Sequence, residues 1–422
     1  MLSPALPLDR QNFAGPQPRL LTPRGMVAAA GSCVPALVIF AATLAGAAAT
    51  RSRGAPLFRG LFNDFYDYWA AARILGRGGN PYDPRLVEQV LTSAGVHSTI
   101  GGGYSYPLLL AELARPLSVL PPVAAAALFT VGSLAALWLA VAILLSPLTW
   151  AARRELAALA LAVGLFAPVA GSLYFGQVNL YLLPVLALAL RRLSTPAGVA
   201  LAAAVKLYPA ATLLAFGALG KRGLRPLVEA AAATVLLTLG PNLLLDRWAP
   251  RADLAGMFAP DPFWSNESIN GWLSRLPVPG LPMTPTMLVA CALLGALTVG
   301  VVLALPRPSW EGAFALFLCY SVVAAPKDSL WNFAPLIVSA VYCWSLSRGR
   351  PWALAVLALA WSLIAMQGLI DALHDGLAGY ATATAWLSGP ALLGSLLLLG
   401  LLAERLLAMR RAVAQFGREP PV

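Results

Sequence analysis

A carboxylate beside an apolar run, an ammonium inside one and amides at helix mouths are the side chains in this sequence equipped for more than packing. In FNDFYDYWAAARILGRGGNPYDP, residues 62–84, Asp64 and Asp67 stand on one helical stretch. A carboxylate held at a membrane surface just beyond a spanning helix can take a proton from an attacking hydroxyl, or it can simply cap a helix or face solvent. FGQVN, residues 175–179, sets Gln177 and Asn179 where amides bind sugar hydroxyls or cap backbone groups. Lys206 in AVKLYP is a cation within an apolar segment, a costly placement that points to function, with snorkelling from a helix broken at Pro209 as the alternative. WSNESINGWLSRL, residues 264–276, brings Asn266, Asn270 and Arg275 near two indoles, as a saccharide surface or a capped loop helix would. Lys327 and Asp328 occupy APKDSLWNF, residues 325–333, where either can meet a phosphate or each other.

Those residues must be positioned by membrane-spanning helices. Hydrophobic residues make up 59% of the 422 and charged ones 11%, with a mean hydropathy of +0.74. A soluble fold cannot hide that much apolar surface. Segments near the ~20 residues a spanning helix needs are 26–49, 122–146, 155–173, 177–190, 223–245, 284–305, 309–325, 331–347, 351–370 and 382–403. Residues 106–120 are too short and carry Glu112 and Arg115, as a half-helix would, and 196–219 read as a broken hairpin. Residues 64–75 read as an amphipathic helix lying at the membrane surface, ended by Gly76, Gly78 and Gly79, with Tyr66, Tyr68 and Trp69 as interfacial anchors. The expected fold is all-α and polytopic, with about 10–12 membrane helices or half-helices in a single transmembrane domain, 1–422.

The net charge of +11 comes from Arg and Lys clustered in short loops, the cytoplasmic pattern, rather than from a nucleic-acid surface. That alternation puts the long loops 50–105 and 246–283 on the opposite, outer face. The four cysteines lie apart within apolar stretches, and His97 and His374 are isolated in loops. With no metal-ligand spacing, no Gly-rich phosphate loop and no nucleophile elbow, neither a metal nor another cofactor is expected, and a nucleotide-sugar donor is disfavoured.

DFYDYWAAARILGRGGNPYDP, YSYPLLLAELARPLSVLP, GQVNLYLLPVLALAL, AVKLYPAATLL and NESINGWLSRL, in that order over roughly residues 30–340, resemble the bacterial polyprenol-phosphate-mannose-dependent alpha-mannosyltransferases. These form glycosyltransferase family 87, a branch of the multi-spanning GT-C enzymes. The resemblance implies an inverting transfer from a polyprenyl-phosphate sugar, mannose or arabinose, to a glycolipid or glycan acceptor on the outer face of the plasma membrane. It makes Asp64, the Asp of the DF motif, the catalytic base, with Asp67 in support. Lys206 and Lys327 become candidates for the donor phosphate, and Gln177, Asn179, Asn266, Asn270, Arg275 and Asn332 for the substrates. The chain departs from the family at AAPKDSLWNF, where Asn332 stands in place of a His that follows a Trp. A lipid or sugar transporter and a non-catalytic scaffold of envelope assembly are the rival classes.

Overall fold

The computed structural model describes residues 20–51, 61–96, 103–148, 150–192, 195–244, 258–263, 265–276, 283–305, 309–376 and 389–416, and every regular element among them is helical. In chain order these are α1 (Pro23–Arg51), α2 (Asn63–Gly76), α3 (Pro84–Ser93), α4 (Leu108–Ser118), α5 (Pro122–Leu145), α6 (Arg153–Gly164), α7 (Ala167–Phe175), α8 (Asn179–Leu190), α9 (Thr195–Val205), the 3₁₀ run η1 (Tyr208–Gly223) and α10 (Leu224–Leu244). There follow α11 (Ile269–Arg275), α12 (Met283–Ala304), α13 (Trp310–Val323), the 3₁₀ turn η2 (Leu330–Phe333), α14 (Leu336–Ser347), α15 (Pro351–Gly376) and α16 (Pro390–Phe416).

Among the described residues six helices are long and apolar enough to cross a membrane, or seven if α6 and α7, bent by 44°, form one span. The expected spans therefore divide into two kinds. α1, α5, α10 with the η1 run before it, α12, α15 and α16 have full length, although residues 382–388 of the last expected span lie outside the described residues. The runs 177–190, 309–325 and 331–347 are shorter as helices, at 12 residues for α8, 14 for α13 and 12 for α14. At about 1.5 Å per residue these three fall short of a ~30 Å hydrocarbon core.

Short helices can end inside the protein because their neighbours cover them. α5 packs on α1 and α8, α13 on η1, and α15 on α16. In hydrocarbon such contacts depend on close approach rather than on expulsion of water. Gly164 of α6 shows it: a Cβ there would lie 2.2 Å from the Ser32 carbonyl oxygen of α1. At the other end of the site-bearing helices, Arg192 grips Glu311 with two hydrogen bonds, at 2.9 and 3.1 Å, and the Trp310 indole donates to the Ala189 carbonyl at 2.7 Å, fixing α8 to α13.

Of three expected local features the first takes a different form and the other two are present. α2 does not lie on a surface: Phe65, Tyr68, Trp69 and Ala72 are buried as expected of its apolar face, but so are Ala70, Ala71 and Asp67. The cause is cover from α3 and α4, with the Trp69 indole donating to the Leu120 carbonyl at 3.1 Å. Tyr68 and Trp69 are thus interior residues rather than interfacial anchors, while Tyr66 is half-buried. The amphipathic helix of this loop is α3, which buries only Val87 and Leu91 and is capped by Asp83, whose carboxylate accepts the Arg85 N–H at 2.9 Å. The half-helix expected over 106–120 is α4, preceded by Pro107. The broken segment 196–219 is α9, a break at Lys206 and Leu207, and η1, which leads into α10 through a non-helical Gly220.

Candidate active site

Helix ends converge at one place. α2 begins with Phe62 in the left-handed region, φ 57°, a conformation bulky residues rarely adopt, and its N–H donates to the Tyr174 carbonyl at 2.8 Å. Opposite it Gly176 closes α7 with φ +68°, and a Cβ there would lie 2.5 Å from that of Phe65. Glycine is required on both counts. This junction sets Asp64, in the first turn of α2, beside Gln177, whose N–H is held by the Ser172 carbonyl at 2.8 Å.

From Asp64 a continuous polar network leads inward. The Tyr106 hydroxyl lies 3.3 Å from Asp64 Oδ1, and the Gln177 Nε2 donates to that phenolic oxygen at 3.2 Å. Tyr106 also lies within hydrogen-bond distance of Gln177 Oε1, but a phenol has one hydrogen; with Gln177 donating, that hydrogen is left for the carboxylate. Gln177 Oε1 accepts from the Tyr68 hydroxyl at 3.3 Å and from the Lys206 ammonium at 3.1 Å. Lys206 also donates to Asn332 Oδ1, which accepts from Asn179 Nδ2 at 3.1 Å. Asn179 in turn donates to the Trp331 carbonyl at 2.9 Å and accepts from Tyr208 at 3.4 Å. The Lys206 ammonium lies 5.7 and 5.8 Å from the ring centres of Tyr106 and Tyr208, within cation–π range.

Exposure separates the members of this network. Gln177 and Asn179 are fully enclosed and Lys206 nearly so, whereas Asp64, Tyr106, Tyr208 and Asn332 keep part of their surface open. Burial pushes the Asp64 carboxyl above the usual carboxylate range, opposed by the charge of Lys206 and by the Gln177 amide and Tyr106 phenol. Asp67 is pushed up to about 7, by burial first and then by the neighbouring Asp64 charge, and its Oδ1 has no hydrogen-bond partner.

The site thus brings together Asp64, Gln177, Asn179, Lys206 and Asn332 from the sequence-derived candidates. Asn266, Asn270, Arg275 and Lys327 make their bonds within or to the second long loop. Asn266 donates to the Asp261 carbonyl at 3.2 Å, while its Oδ1 accepts from the Ser268 hydroxyl at 2.7 Å and the Asp328 N–H at 3.1 Å. Asn270 bonds to the Ala259 carbonyl and Ser274, and Arg275 to the carbonyls of Phe263 and Asn266. Lys327 is half-exposed and pairs with Asp261 at 3.5 Å. Sequence reasoning did not single out Tyr106, Tyr68 or Tyr208 for the site. Their signal was position: Tyr106 immediately precedes the Pro that opens α4, and Tyr208 follows the intramembrane Lys by two residues.

A partly open carboxylate close to an enclosed ammonium with flanking amides can accept a proton from a hydroxyl and hold an anion beside it. Among the described residues no group of three or more His, Cys, Asp or Glu side chains gathers as a metal site would require. A comparison with curated proteins finds no match. The family model of glycosyltransferase family 87 matches residues 104–326, which include Tyr106, Gln177, Lys206 and Asn266 and leave Asp64 and Asn332 outside. Because that match covers more than half of the chain, the protein belongs to glycosyltransferase family 87, within the GT-C superfamily, and is a membrane glycosyltransferase.

Proposed function

We propose that the protein transfers a sugar, mannose in the first instance, from a polyprenyl-phosphate donor to a glycolipid or glycan acceptor on the outer face of the plasma membrane, with inversion. One observation carries this reading: Tyr106 and Gln177 join the Asp64 carboxylate to the Lys206 ammonium in a single network. In this reading Asp64 takes the proton of the acceptor hydroxyl as its oxygen attacks the sugar carbon. The bond from that carbon to the phosphate oxygen breaks, and Lys206 with the Asn332 amide receives the departing phosphate. A monophosphate leaving group carries less charge than a diphosphate, so one ammonium and neighbouring amides suit it.

Tyr106 and Gln177 restrain both ends of the reacting pair, which favours proximity over chemical activation. Asp67 stands behind Asp64 as a supporting carboxylate, and Lys327 and the polar residues of 261–275 take the part of a frame. The test is to incubate the purified protein with membrane glycolipid extract and either radiolabelled polyprenyl-phosphate mannose or its arabinose counterpart, and to analyse the products. Labelled lipid formed from the mannose donor, and lost in Asp64→Asn, is the expected result. Labelling from arabinose alone would change the sugar. Flux of either lipid across sealed vesicles without product would make the protein a transporter.

A further inference from the structure

α15 and α16 pack closely, yet they leave a groove of about 540 Å³ between them. Trp352, Val356 and Leu363 line it from α15, and Leu393, Gly400 and Glu404 from α16. Its apolar walls stay open, with Leu393 52% exposed. The helices touch where Gly394 faces α15: a Cβ there would lie 2.5 Å from the Ala360 carbonyl oxygen. Gly400 is different. A Cβ at that position would meet nothing within 4 Å, so the absent side chain leaves room in the groove.

The length of the groove limits what it can hold. At about 1.5 Å per residue the run from Trp352 to Leu363 covers roughly 16 Å, near half of a ~30 Å hydrocarbon core. An acyl chain of one leaflet fits; a carrier chain crossing the whole core does not. One end of the groove is polar. Trp352 is 50% exposed there, as an indole at headgroup level would be. Arg405 lies 4.8 Å from that ring and pairs with Glu404 at 2.5 Å, so the charges at this end cancel. The same end adjoins the close of α14, away from Asn332 and the candidate active site.

Beside this mouth the charges do not cancel. The connections before α6 and before α15 meet: Trp150 stacks on Trp344 at 5.5 Å, and Arg348 lies 4.3 Å from the Trp150 ring and pairs with Glu155 at 3.3 Å. Arg348 and Arg405 thus have their own carboxylates. Arg153, Arg154 and Arg350 are exposed and have no carboxylate partner among the described residues. Arg350 is the nearest of them to the groove, because its carbonyl accepts the Ala353 and Leu354 N–H groups at 3.0 and 3.1 Å at the start of α15.

We propose that this groove binds an anionic phospholipid of the leaflet opposite the active site, with one acyl chain between α15 and α16 and the headgroup phosphate at Arg350. Arg153 and Arg154 add to the field that favours it. A zwitterionic lipid fills the same space but leaves the surplus charge unmet. A second copy of the chain meeting this one about a two-fold axis would set arginines against arginines.

The test delipidates the full-length protein in mild detergent and adds equal amounts of dioleoyl phosphatidylglycerol and dioleoyl phosphatidylcholine. Native mass spectrometry then counts the lipids retained. The wild type should keep one phosphatidylglycerol, favoured over phosphatidylcholine by at least about fivefold, the effect of one arginine near a charged headgroup. Gly400→Phe, whose ring enters open space, should lose it. Arg350→Gln should narrow the preference by about fivefold and leave phosphatidylcholine retention unchanged. Equal retention of the two lipids overturns the proposal, as does full retention in Gly400→Phe or an unchanged preference in Arg350→Gln. A lipid-free pair of chains that Gly400→Phe separates would put a second copy in the groove and overturn it too. Should Gly400→Phe fail to fold, Leu397→Trp on the same wall takes its place: loss of the lipid supports the proposal, and full retention overturns it.

Discussion

Tyr106 gives its phenolic hydrogen to Asp64 at 3.3 Å while its oxygen receives the Gln177 amide at 3.2 Å. Its hydroxyl is the bridge between the carboxylate and the amide that holds Lys206. The hydrogen bond lowers the basicity of Asp64, so Tyr106→Phe should raise the Asp64 pKa further and move the acid limb of the pH–activity profile to higher pH. Loss of a hydrogen bond to a charged group, about 1.5–3 kcal/mol, should reduce turnover by roughly 10- to 100-fold if the bond acts fully in the transition state. An unmoved acid limb would show that the phenol does not act on Asp64.

Asp64→Asn keeps size and most hydrogen bonding but removes the proposed base. A positioned general base contributes about 10²- to 10⁴-fold in rate, so turnover should fall by that order while the protein still inserts and binds donor. Asp67→Asn should lose much less. Turnover of both variants with an identified donor decides between the two carboxylates: near-normal activity of Asp64→Asn, or a larger loss in Asp67→Asn, would reverse their roles.

Asp67 also carries a stability prediction of definite sign. Its carboxyl is pushed up to about 7 in the folded protein from an ordinary value of 3.8, so between those two values the folded state binds more protons than the unfolded one. Stability should accordingly decline as pH rises through that window. Asp67→Asn should remove this part of the decline and melt higher than the wild type at pH 8, by the equivalent of about 1–3 kcal/mol. Parallel melting curves for the two proteins from pH 4 to 8 would contradict it.

Lys206→Gln should weaken donor use strongly while leaving the protein folded, and Lys206→Arg should retain part of the activity because charge persists without the same reach. Donor KM and kcat measured separately, with the melting temperature as a control, test this. Normal donor affinity in the Gln variant would return Lys206 to a packing role.

The outer-face placement of the site is checked by labelling. Ser93 on α3 and Pro262 in the second loop are exposed, as is Arg154 at the start of α6. In a background lacking the native cysteines, Cys at the first two positions should react with an impermeant thiol reagent in intact cells and Cys at Arg154 should not. The reverse pattern would turn the molecule over.

Which parts of this arrangement were legible in the sequence follows from what each residue has to do. Gln177, Asn179 and Lys206 stood out because polar groups inside apolar runs are expensive and must find partners, and they find one another. Asn266, Asn270 and Arg275 had the same side-chain chemistry but lie in a loop that has its own carbonyls to satisfy; composition does not distinguish amides serving a loop from amides serving a ligand. Asp67 was expected off the apolar face of α2, because helical periodicity describes a helix with one covered side. Tertiary cover from α3 and α4 reaches further round. The short α8 was read from Gln177 because apolarity begins there, whereas the left-handed Gly176 and the Ser172 carbonyl hold residue 177 in the preceding turn.

The two flanks of the network come from beyond the stretch by which the family is recognised: Asp64 precedes residue 104, and Asn332 follows residue 326. A gene fragment trimmed to the recognisable stretch would keep Tyr106, Gln177, Asn179 and Lys206 and lose both a carboxylate and an amide that meet them. On the roles proposed for Asp64 and Asn332, recognisability and competence have different borders in this protein. On those proposed roles a shortened paralogue would score as a family member and be inert, and a split gene would need both pieces reunited in one membrane before its product could work.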